Sequence, residues 1–522
     1  MLAANAVSCR HWQSGCVAHI ICIMADTGQT ASPDFVALRA EGRTRSERYL
    51  AKLCEKTFLS LWSYPAVFRD QGRRGEGDGK EVCDLLVVFE NHILIFSDKD
   101  CRFHGSGDLQ VDWTRWFKKA VKKSVDQIFG AERWIKQFPD RLFLDRQCKV
   151  PFPINLPDPE KRVFHRIVIA HDASRACKEH MGGSGSLMLT NEPHFADQMP
   201  FTVGPVSPEK GFVHILDDTS LDIVMRTVDT ITDFVRYLTK KERFLTGTKA
   251  VMAAGEEELL AIYLRRMNDA GEHDFVFEGN YDGISIDEGF WDAFVKSPQR
   301  QAQIDADHIS YSWDALINTF TFHAMSGTQF SNLNGHSLRD QEIVYRFLAR
   351  EPRTRRRFLA TRLHELLERS KHSKGPLVAR VLPPSNGDSP HYVFVFLKRP
   401  AGLTDQRYRR VRMNVLADYC RVTKLRFPEA TDIIGFASEA GSVPQRSEDL
   451  IYVDTRKWSA KDEAKAREIQ KKLGFLTKVK VSARRVHEYP VNHQGVPRKT
   501  TLSRNSPCPC GSRKRFKNCH GA

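Results

Sequence analysis

Two short apolar runs, at residues 84–89 and 93–97, constrain the fold of this chain more than any other feature of its sequence. Both runs are rich in Val, Ile, Leu or Phe, and a short polar turn, Glu-Asn-His, separates them. Runs of this length that are split by turn residues are typical of a β-hairpin. Antiparallel pairing would bring Asp84 close to Asp98 and Lys99, so the sequence predicts a charged cluster at one end of an apolar hairpin.

Helical spacing flanks the hairpin on both sides. Apolar residues recur at helical intervals over 46–62, where Ser46 is placed to cap the helix, and again over 113–138. A third strand-like run lies at 164–170. This order of helix, hairpin, helix and strand predicts an α/β domain.

The rest of the chain predicts an α/β multidomain protein, since 522 residues exceed the size that one hydrophobic core supports. The first residues show no sustained periodicity, and Met24 is a candidate start. A basic helical pair at 340–369 ends a mainly helical middle region, and alternating strand-like and helical runs follow it. The predicted divisions are a disordered leader (1–35), an N-terminal α/β domain (36–175), a mainly helical middle (176–375), a second small α/β unit (376–487), a linker (488–506) and a C-terminal zinc knuckle (507–522).

The charge balance favours a polyanionic partner. Lys and Arg exceed Asp and Glu by 79 to 64, which gives a net charge of +15. The excess concentrates at 118–123, 350–374, 398–426 and in the C-terminal tail. We therefore expect nucleic acid to be the partner, with DNA favoured.

Composition also limits the compartment. No apolar run approaches the roughly 20 residues that a membrane span needs, so no membrane association is predicted. All but the last three of the twelve cysteines fall singly along the chain. This usage is typical of a reduced, cytoplasmic protein.

Four zinc-type donors lie close together near the C-terminus: Cys508, Cys510, Cys519 and His520. Tetrahedral zinc is bound by four thiolate or imidazole ligands, and Gly511 allows a tight turn between the two pairs. The alternatives are a reactive thiol pair or an accidental cluster. With four protein ligands, the predicted zinc site is structural and leaves no open position for catalysis.

The stretch from Cys508 to His520 resembles the SEC-C motif, a zinc-binding tail. The resemblance implies that Zn²⁺ is held by Cys508, Cys510, Cys519 and His520. It also implies that the tail is an interaction surface that could bind a protein partner. It does not imply a role in secretion, because the chain lacks the Walker motif of an ATP-driven translocation motor.

The charged end of the hairpin suits metal-ion chemistry. Two carboxylates and an ammonium beside an apolar sheet are costly unless they perform a task such as holding Mg²⁺. Such an ion could polarise a phosphodiester and lower the pKa of its water, while Lys99 stabilises the developing charge. The sequence therefore favours Asp84 and Asp98 as ligands of Mg²⁺ or Mn²⁺.

The order of acidic helix, Asp, hairpin, acid-x-Lys and helix resembles the PD-(D/E)XK nuclease superfamily. The resemblance implies a restriction-endonuclease-like N-terminal domain that cleaves nucleic acid with Mg²⁺ or Mn²⁺. Carried over by position, Glu55 matches the acid of the first helix, Asp84 the metal-binding aspartate and Lys99 the catalytic lysine. Gln127 resembles the glutamine that many members place beside the site.

One position departs from that pattern. Strand alternation puts Ser97 and Lys99 on one face, so Ser97 occupies the slot that Glu or Asp fills in the family, and Asp98 faces the other way. Three outcomes are open: a bulge re-aims Asp98 into the site, Glu55 or Glu81 supplies the missing carboxylate, or the site is degenerate and does not cut.

A different class of function competes with the nuclease. The zinc tail and its basic residues could dock a non-enzymatic adaptor on a ribosome, a chaperone or nucleic acid, with the hairpin acids as inert remnants. A third hypothesis, a non-nucleolytic metal hydrolase, is weaker because the histidines offer no clear ligand set along the sequence.

Overall fold

The computed structural model describes residues 19–25, 41–71, 78–279, 281–329, 337–385, 389–443, 446–482, 486–490 and 515. The chain divides into two compact units, and it passes between them more than once. The large unit comprises residues 31–326, 348–360 and 485–522, and the small unit comprises 1–30, 327–347 and 361–484. Both contain helices and β-sheet, which confirms the α/β multidomain prediction at this level.

A five-stranded mixed sheet forms the centre of the large unit. Its strands, in sheet order, are β2 (Ser63–Arg69), β3 (Lys80–Phe89), β4 (His92–Lys99), β5 (Val163–Ala170) and β8 (His214–Leu216). The predicted hairpin is present as antiparallel β3 and β4, and β5 and β8 then add in parallel. Because β8 belongs to this sheet, the boundary expected at residue 175 does not separate two domains.

A second, four-stranded sheet lies in the middle region that was predicted to be mainly helical. Its strands, in sheet order, are β10 (Ile284–Ile286), β9 (Val251–Ala253), β6 (Met188–Thr190) and β7 (Thr202–Val203). Each has only two or three residues. Segments this short cannot show an alternating pattern, so no periodicity along the chain marks them.

The helices of the large unit follow the predicted order, with local corrections. They are α1 (Arg45–Phe58), α2 (Leu109–Phe117), α3 (Lys123–Gln137), α4 (Ser174–Met181), α5 (Pro193–Gln198), α6 (Asp218–Thr227), α7 (Ile231–Gly247), α8 (Glu256–Arg265), α9 (Phe290–Val295), α10 (Pro298–Asp307) and α11 (Tyr311–Ser326). A π-helical turn, Lys118–Lys122, separates α2 from α3, so the helix predicted over 113–138 is not continuous. Short 3-10 turns lie at Pro159–Lys161 and His308–Ser310.

The first helix is capped by Thr44 and not by Ser46. The Thr44 hydroxyl accepts a hydrogen bond from the backbone N–H of Glu47 at 3.1 Å, and the Glu47 carboxylate accepts one from the N–H of Thr44 at 3.3 Å. This reciprocal pair is a capping box, which satisfies donors that the helix end would otherwise leave free.

Helices cover both faces of the five-stranded sheet. Phe58 of α1 contacts Phe96 of β4 and Phe234 of α7, with ring centroids 6.1 and 5.0 Å apart, so α1 and α7 share one face. Phe96 pairs with Ile167 in the β4–β5 register, so the neighbouring residue Arg166 points to the opposite face. There it forms an ion pair with Glu132 of α3. The sheet is therefore sandwiched between α1 and α7 on one side and α3 on the other.

The small unit contains a mixed sheet packed against helices. Its strands, in sheet order, are β1 (His19–Ala25), β14 (Glu448–Asp454), β13 (Asp432–Glu439), β12 (His391–Leu397) and β11 (Leu377–Leu382), and its helices are α14 (Asp405–Arg426) and α15 (Ala460–Leu473). Helices α12 (Leu338–Ala349) and α13 (Arg353–His372) contribute residues to both units. The strands and helices predicted over 376–487 are thus present. Strand β1 is a correction to the disordered leader, because it pairs with β14 at the sheet edge.

Much of the basic excess is internal to the protein. Arg356 and Arg412 are fully buried, where they form ion pairs with Asp314 and Asp449. Arg353 is also buried and bonds to Asp314. The basic runs at 350–374 and 398–426 therefore contribute less contact surface than their composition indicates.

The lysines at 118–123 behave differently. Lys118, Lys119, Lys122 and Lys123 are all exposed around the π-helical turn. Among the predicted basic runs that the structure describes, this is the one in which every basic residue is exposed, and we refer to these four residues as the lysine turn.

Two further predictions concern the state of the cysteines and the lack of a membrane-spanning segment. Six cysteines in the described residues are free thiols, four of them buried, as expected for packed apolar side chains. No helix in the described residues is both long and apolar enough to cross a membrane.

Candidate functional site

The charged end of the hairpin is organised around Asp84. The regular pairing of β3 with β4 reaches Leu85 and Phe96, and beyond it Oδ2 of Asp84 accepts a hydrogen bond from the backbone N–H of Asp98 at 2.6 Å. Asp84 is 8% exposed. Burial raises the pKa of Asp84, and the Asp98 N–H and the Lys99 ammonium offset only part of that effect.

Glu81, on the same strand, is the second carboxylate of this cluster. Arg43 forms an ion pair with its Oε2 at 3.0 Å, whereas its Oε1 is buried and has no hydrogen-bond partner. Burial raises the pKa of Glu81 to about 7, despite the nearby guanidinium of Arg43, and Asp84 adds to the rise. A buried carboxylate oxygen with no partner is costly, and a cation would relieve that cost.

Lys99 and Glu47 complete the cluster. Lys99 is half-buried at the end of β4, and its ammonium lowers the pKa of both Asp84 and Glu81, although burial outweighs it at each. Glu47, in the first turn of α1, acts in the opposite direction and raises the pKa of the same two groups. Three carboxylates and one ammonium thus interact electrostatically at this end of the sheet, and we call Glu47, Glu81, Asp84 and Lys99 the hairpin cluster.

Asp98 does not join the hairpin cluster through its side chain. Its Oδ1 accepts a hydrogen bond from Nε2 of His171 at 2.5 Å, and Nδ1 of His171 bonds Asp218 at 2.5 Å. Burial alone would lower the pKa of His171, but its hydrogen bonds to Asp218 and Asp98 raise it to about 10. His171 is therefore a cation at neutral pH, held between two carboxylates.

The predicted faces of β4 are those observed. Phe96 contacts α1, so Asp98 shares its face, and Ser97 and Lys99 point to the face that α3 covers. The β4–β5 register continues unbroken to Lys99, so the bulge that could have re-aimed Asp98 is not present. Ser97 is fully buried, and its hydroxyl has no hydrogen-bond partner.

Glu55 and Gln127, the other two predicted site residues, lie in different surroundings. Glu55 is exposed and accepts a hydrogen bond from the hydroxyl of Ser60 at 2.6 Å. It lies eight residues after Glu47, which is about 12 Å further along the helix axis. Gln127 is half-buried on α3, which packs on β3, β4 and β5, so it shares the Lys99 side of the sheet.

A local sequence pattern marks Glu47, which the family resemblance does not include among the site residues. Thr44-Arg-Ser-Glu47 is a capping-box pattern, which marks the start of the helix and orients that glutamate at its N-terminus. The sequence predicts Glu81 only as one of two substitutes for the missing acid. The structure places both close enough to Asp84 to shift its pKa or to be shifted by it.

The hairpin cluster is looser than a dedicated all-protein metal cage. Within the described residues, no three acids of this region hold their carboxylate oxygens within 4.8 Å of one another. Mg²⁺ commonly binds through one or two carboxylates together with water and substrate phosphate, so two carboxylates meet its needs.

A separate cleft of about 670 Å³ lies elsewhere in the large unit. Arg236, Lys240, Asp307 and Arg353 are among its lining residues, and none of the hairpin cluster is. Its charges are largely paired within the protein: Lys240 with Asp274 at 2.8 Å and Arg353 with Asp229 at 2.8 Å. Burial raises the pKa of Asp307 to about 6. Because the charges of this cleft are engaged in ion pairs within the protein, we do not assign the chemistry to it.

The four zinc ligands predicted in the tail, Cys508, Cys510, Cys519 and His520, lie outside the described residues.

Comparison with known proteins supports the SEC-C resemblance predicted for the C-terminal tail. The SEC-C motif matches residues 504–522, so the resemblance of this segment to a zinc-binding element is confirmed. A segment of the chain is 46% identical over 43 residues to the protein translocase subunit SecA of Ehrlichia canis (strain Jake). This similarity covers 8% of the chain and 4% of SecA. No solved structure matches the chain, and the resemblance to nucleases has no counterpart among these findings.

Proposed function

We propose that the protein is a metal-dependent nuclease-like phosphodiester hydrolase, with DNA the favoured substrate and the hairpin cluster as its site. We also propose that the five-stranded sheet and its flanking helices form a restriction-endonuclease-like domain. The observation that carries the proposal is the pair formed by buried Asp84 and half-buried Glu81, both with raised pKa values, beside Lys99. Perturbed pKa values cluster at functional sites, which makes these two carboxylates candidates for binding a cation.

The residues present fit a hard divalent cation. Asp84 and Glu81 would hold Mg²⁺ or Mn²⁺, because Oε1 of Glu81 is buried without a partner and carboxylate oxygen is the donor that these ions prefer. Glu47 is the third acid within electrostatic range. When bound, the ion would polarise the phosphodiester and lower the pKa of a water molecule. Asp98 is a weaker candidate ligand than the sequence indicated, since one of its oxygens is committed to His171.

The other residues have separate tasks in this proposal. Lys99 supplies a positive charge next to the carboxylates, where it would stabilise negative charge that develops on a phosphate. The Asp98 N–H fixes the orientation of the Asp84 carboxylate. The lysine turn lies immediately before Gln127 on the same helical segment, and its exposed ammonium groups suit sequence-independent contacts to a phosphate backbone.

A cleavage screen tests the proposal. The full chain is incubated with single- and double-stranded DNA and RNA, with Mg²⁺, with Mn²⁺ and with EDTA. We expect metal-dependent cleavage that falls at least 100-fold in Asp84→Asn and Lys99→Ala, while circular dichroism shows both variants folded. Cleavage by both variants at the wild-type rate would overturn the assignment, as would the absence of cleavage on every substrate.

The adaptor hypothesis remains the second candidate, and the SEC-C match favours it. In that function the tail would bind a protein or nucleic-acid partner, and the hairpin cluster would have no catalytic task. A pull-down tests this function. The adaptor is supported over the nuclease if wild type retains a ribosomal, chaperone or nucleic-acid partner, if Cys508→Ser loses that partner, and if neither protein shows metal-dependent cleavage.

A further inference from the structure

Three potential metal ligands meet inside the large unit, away from the hairpin cluster. They are His165 on β5, His214 on β8 and Glu242 on α7. One donor atom from each lies within 4.8 Å of the others. In the register of β5 with β8, His214 pairs with Ile167, so the two histidines lie on the same face of the sheet, two residues apart across adjacent strands.

The two imidazoles are buried without the partners that buried polar groups require. His214 is 1% exposed, and neither of its ring nitrogens has a hydrogen-bond partner. His165 is 2% exposed, and its Nδ1 has no partner either. An unsatisfied buried polar atom destabilises the folded state, and three such atoms in one place are rare in folded proteins. A ligand that accepts lone pairs from these nitrogens would remove the cost.

We propose that His165, His214 and Glu242 form a buried binding site for a divalent transition metal ion, with Zn²⁺ the best match. Two imidazoles and one carboxylate are a common zinc donor set, and a water molecule would occupy the fourth position. Hard ions such as Mg²⁺ prefer all-oxygen sites, so the donor chemistry separates this site from the hairpin cluster. Tetrahedral ligands of zinc lie about 3.4 Å apart, so binding would draw the three side chains together.

His92 supports the site from its outer side. Its Nδ1 and the Nε2 of His165 form a hydrogen bond at 3.0 Å. If His165 binds the metal through the free Nδ1, its Nε2 carries the proton and donates it to His92. A metal-bound histidine usually has such an outer partner, which fixes the tautomer and the orientation of the ring.

The charges around the site are compatible with a cation. Burial lowers the pKa of His165 to about 3 and also lowers the pKa of His214, so both are neutral, as metal ligands must be. Lys241 and Arg166 are the nearest cations that act on His214. Lys241 is paired with Glu256 and Arg166 with Glu132, so both charges are compensated within the protein.

The position of the site indicates a structural role. His165 lies six residues before His171, which directly follows β5, and this spacing places His165 about 20 Å from the charged end of the sheet. The three ligands come from two strands and one helix, so an ion would tie α7 to the sheet. His165 and His214 are buried and Glu242 is half-buried, so an ion held by these three side chains would stabilise the packing of α7 on the sheet.

Measurement of zinc bound to the full chain tests the proposal. The substitutions Cys508→Ser and Cys510→Ser remove two predicted zinc ligands of the tail, and we call this variant the tail-silenced protein, in which only an internal zinc site remains. We expect this variant to retain about one equivalent of zinc by mass spectrometry. Its Co²⁺ form should show d–d absorption without the near-ultraviolet bands of thiolate ligation. In that background, Glu242→Gln should weaken zinc retention against a competing chelator at least tenfold.

Glu209→Gln, at an exposed acid outside the site, is the matched control and should leave zinc retention unchanged. Glu242 is only half-buried, so its isosteric replacement is expected to fold even if substitution of a buried histidine does not. The proposal is overturned if the tail-silenced protein retains no zinc, or if Glu242→Gln and Glu209→Gln hold it equally well.

Discussion

The backbone N–H of Asp98 donates a 2.6 Å hydrogen bond to Oδ2 of Asp84, where the hairpin strands stop pairing. Asp98 thereby supports Asp84 through its main chain, while its own carboxylate turns to His171 on the other face of the sheet. The two acids that the sequence predicts as ligands of the same ion therefore have different tasks. Asp84 faces the Lys99 side, where we place the chemistry, and Asp98 belongs to a buried ion-paired network.

Glu47 and Glu55 form a matched pair for testing the hairpin cluster. We expect Glu47→Gln to reduce metal-dependent cleavage at least tenfold, because Glu47 interacts with Asp84 and Glu81. Gln still completes the capping box, so the helix should remain intact. Glu55→Gln, on the same helix, should cleave within about twofold of wild type, and initial rates of the three proteins provide the measurement. If Glu55→Gln lowered the cleavage rate more than Glu47→Gln, Glu55 and not Glu47 would be assigned to the site.

His171 predicts a pH-dependent loss of stability above neutrality. Its pKa is raised from 6.5 to about 10 by Asp218 and Asp98, so its stabilising contribution is complete below pH 6.5 and disappears as the pH rises through 10. The contribution is on the order of 3–5 kcal/mol. Urea denaturation of wild type and His171→Gln between pH 6 and 10 should show the difference in unfolding free energy shrinking as pH rises. A difference that stays constant or grows would contradict the charged state assigned to His171.

The buried ion pair of Arg412 and Asp449 predicts that the stability of the folded protein depends strongly on both residues. Nε of Arg412 lies 2.5 Å from Oδ2 of Asp449, and both side chains are fully buried in the small unit. Asp449→Asn should cost about 3–5 kcal/mol, because it leaves an uncompensated guanidinium inside the protein. The double variant Arg412→Met, Asp449→Leu should recover most of that loss. Chemical denaturation monitored by circular dichroism would show whether the double variant is more stable than the single one.

The C-terminal motif predicts zinc binding that is separable from the rest of the fold. We expect Cys508→Ser to lose about one equivalent of zinc relative to wild type, because a knuckle without one of its four ligands holds the ion poorly. The melting temperature of the main transition should change little, since such a knuckle folds around its own ion. Metal analysis and thermal denaturation of the two proteins provide the measurements. Unchanged zinc content would refute the ligand assignment.

Local patterns in the sequence predicted the elements well where a segment was long enough to show a period. The hairpin, strand β5 and the strands and helices of the small unit all appear close to their expected positions. The short strands of the second sheet were missed because two or three residues leave no periodic signal, and strand β1 was missed although it has seven residues. The prediction of basic contact surfaces was also inaccurate, because composition does not distinguish an exposed lysine such as Lys118 from the buried Arg356.

The sequence by itself determined the local facts: where strands and helices form, which residues of the tail can bind zinc, and that Asp84 and Lys99 lie at the same end of a hairpin. These depend on neighbours a few positions apart, whose geometry the backbone fixes. Only the tertiary structure decided that Glu47 lies near Asp84, that Asp98 binds His171, and that His165, His214 and Glu242 meet. Such encounters depend on how a helix packs across a sheet, and no spacing along the chain encodes that packing.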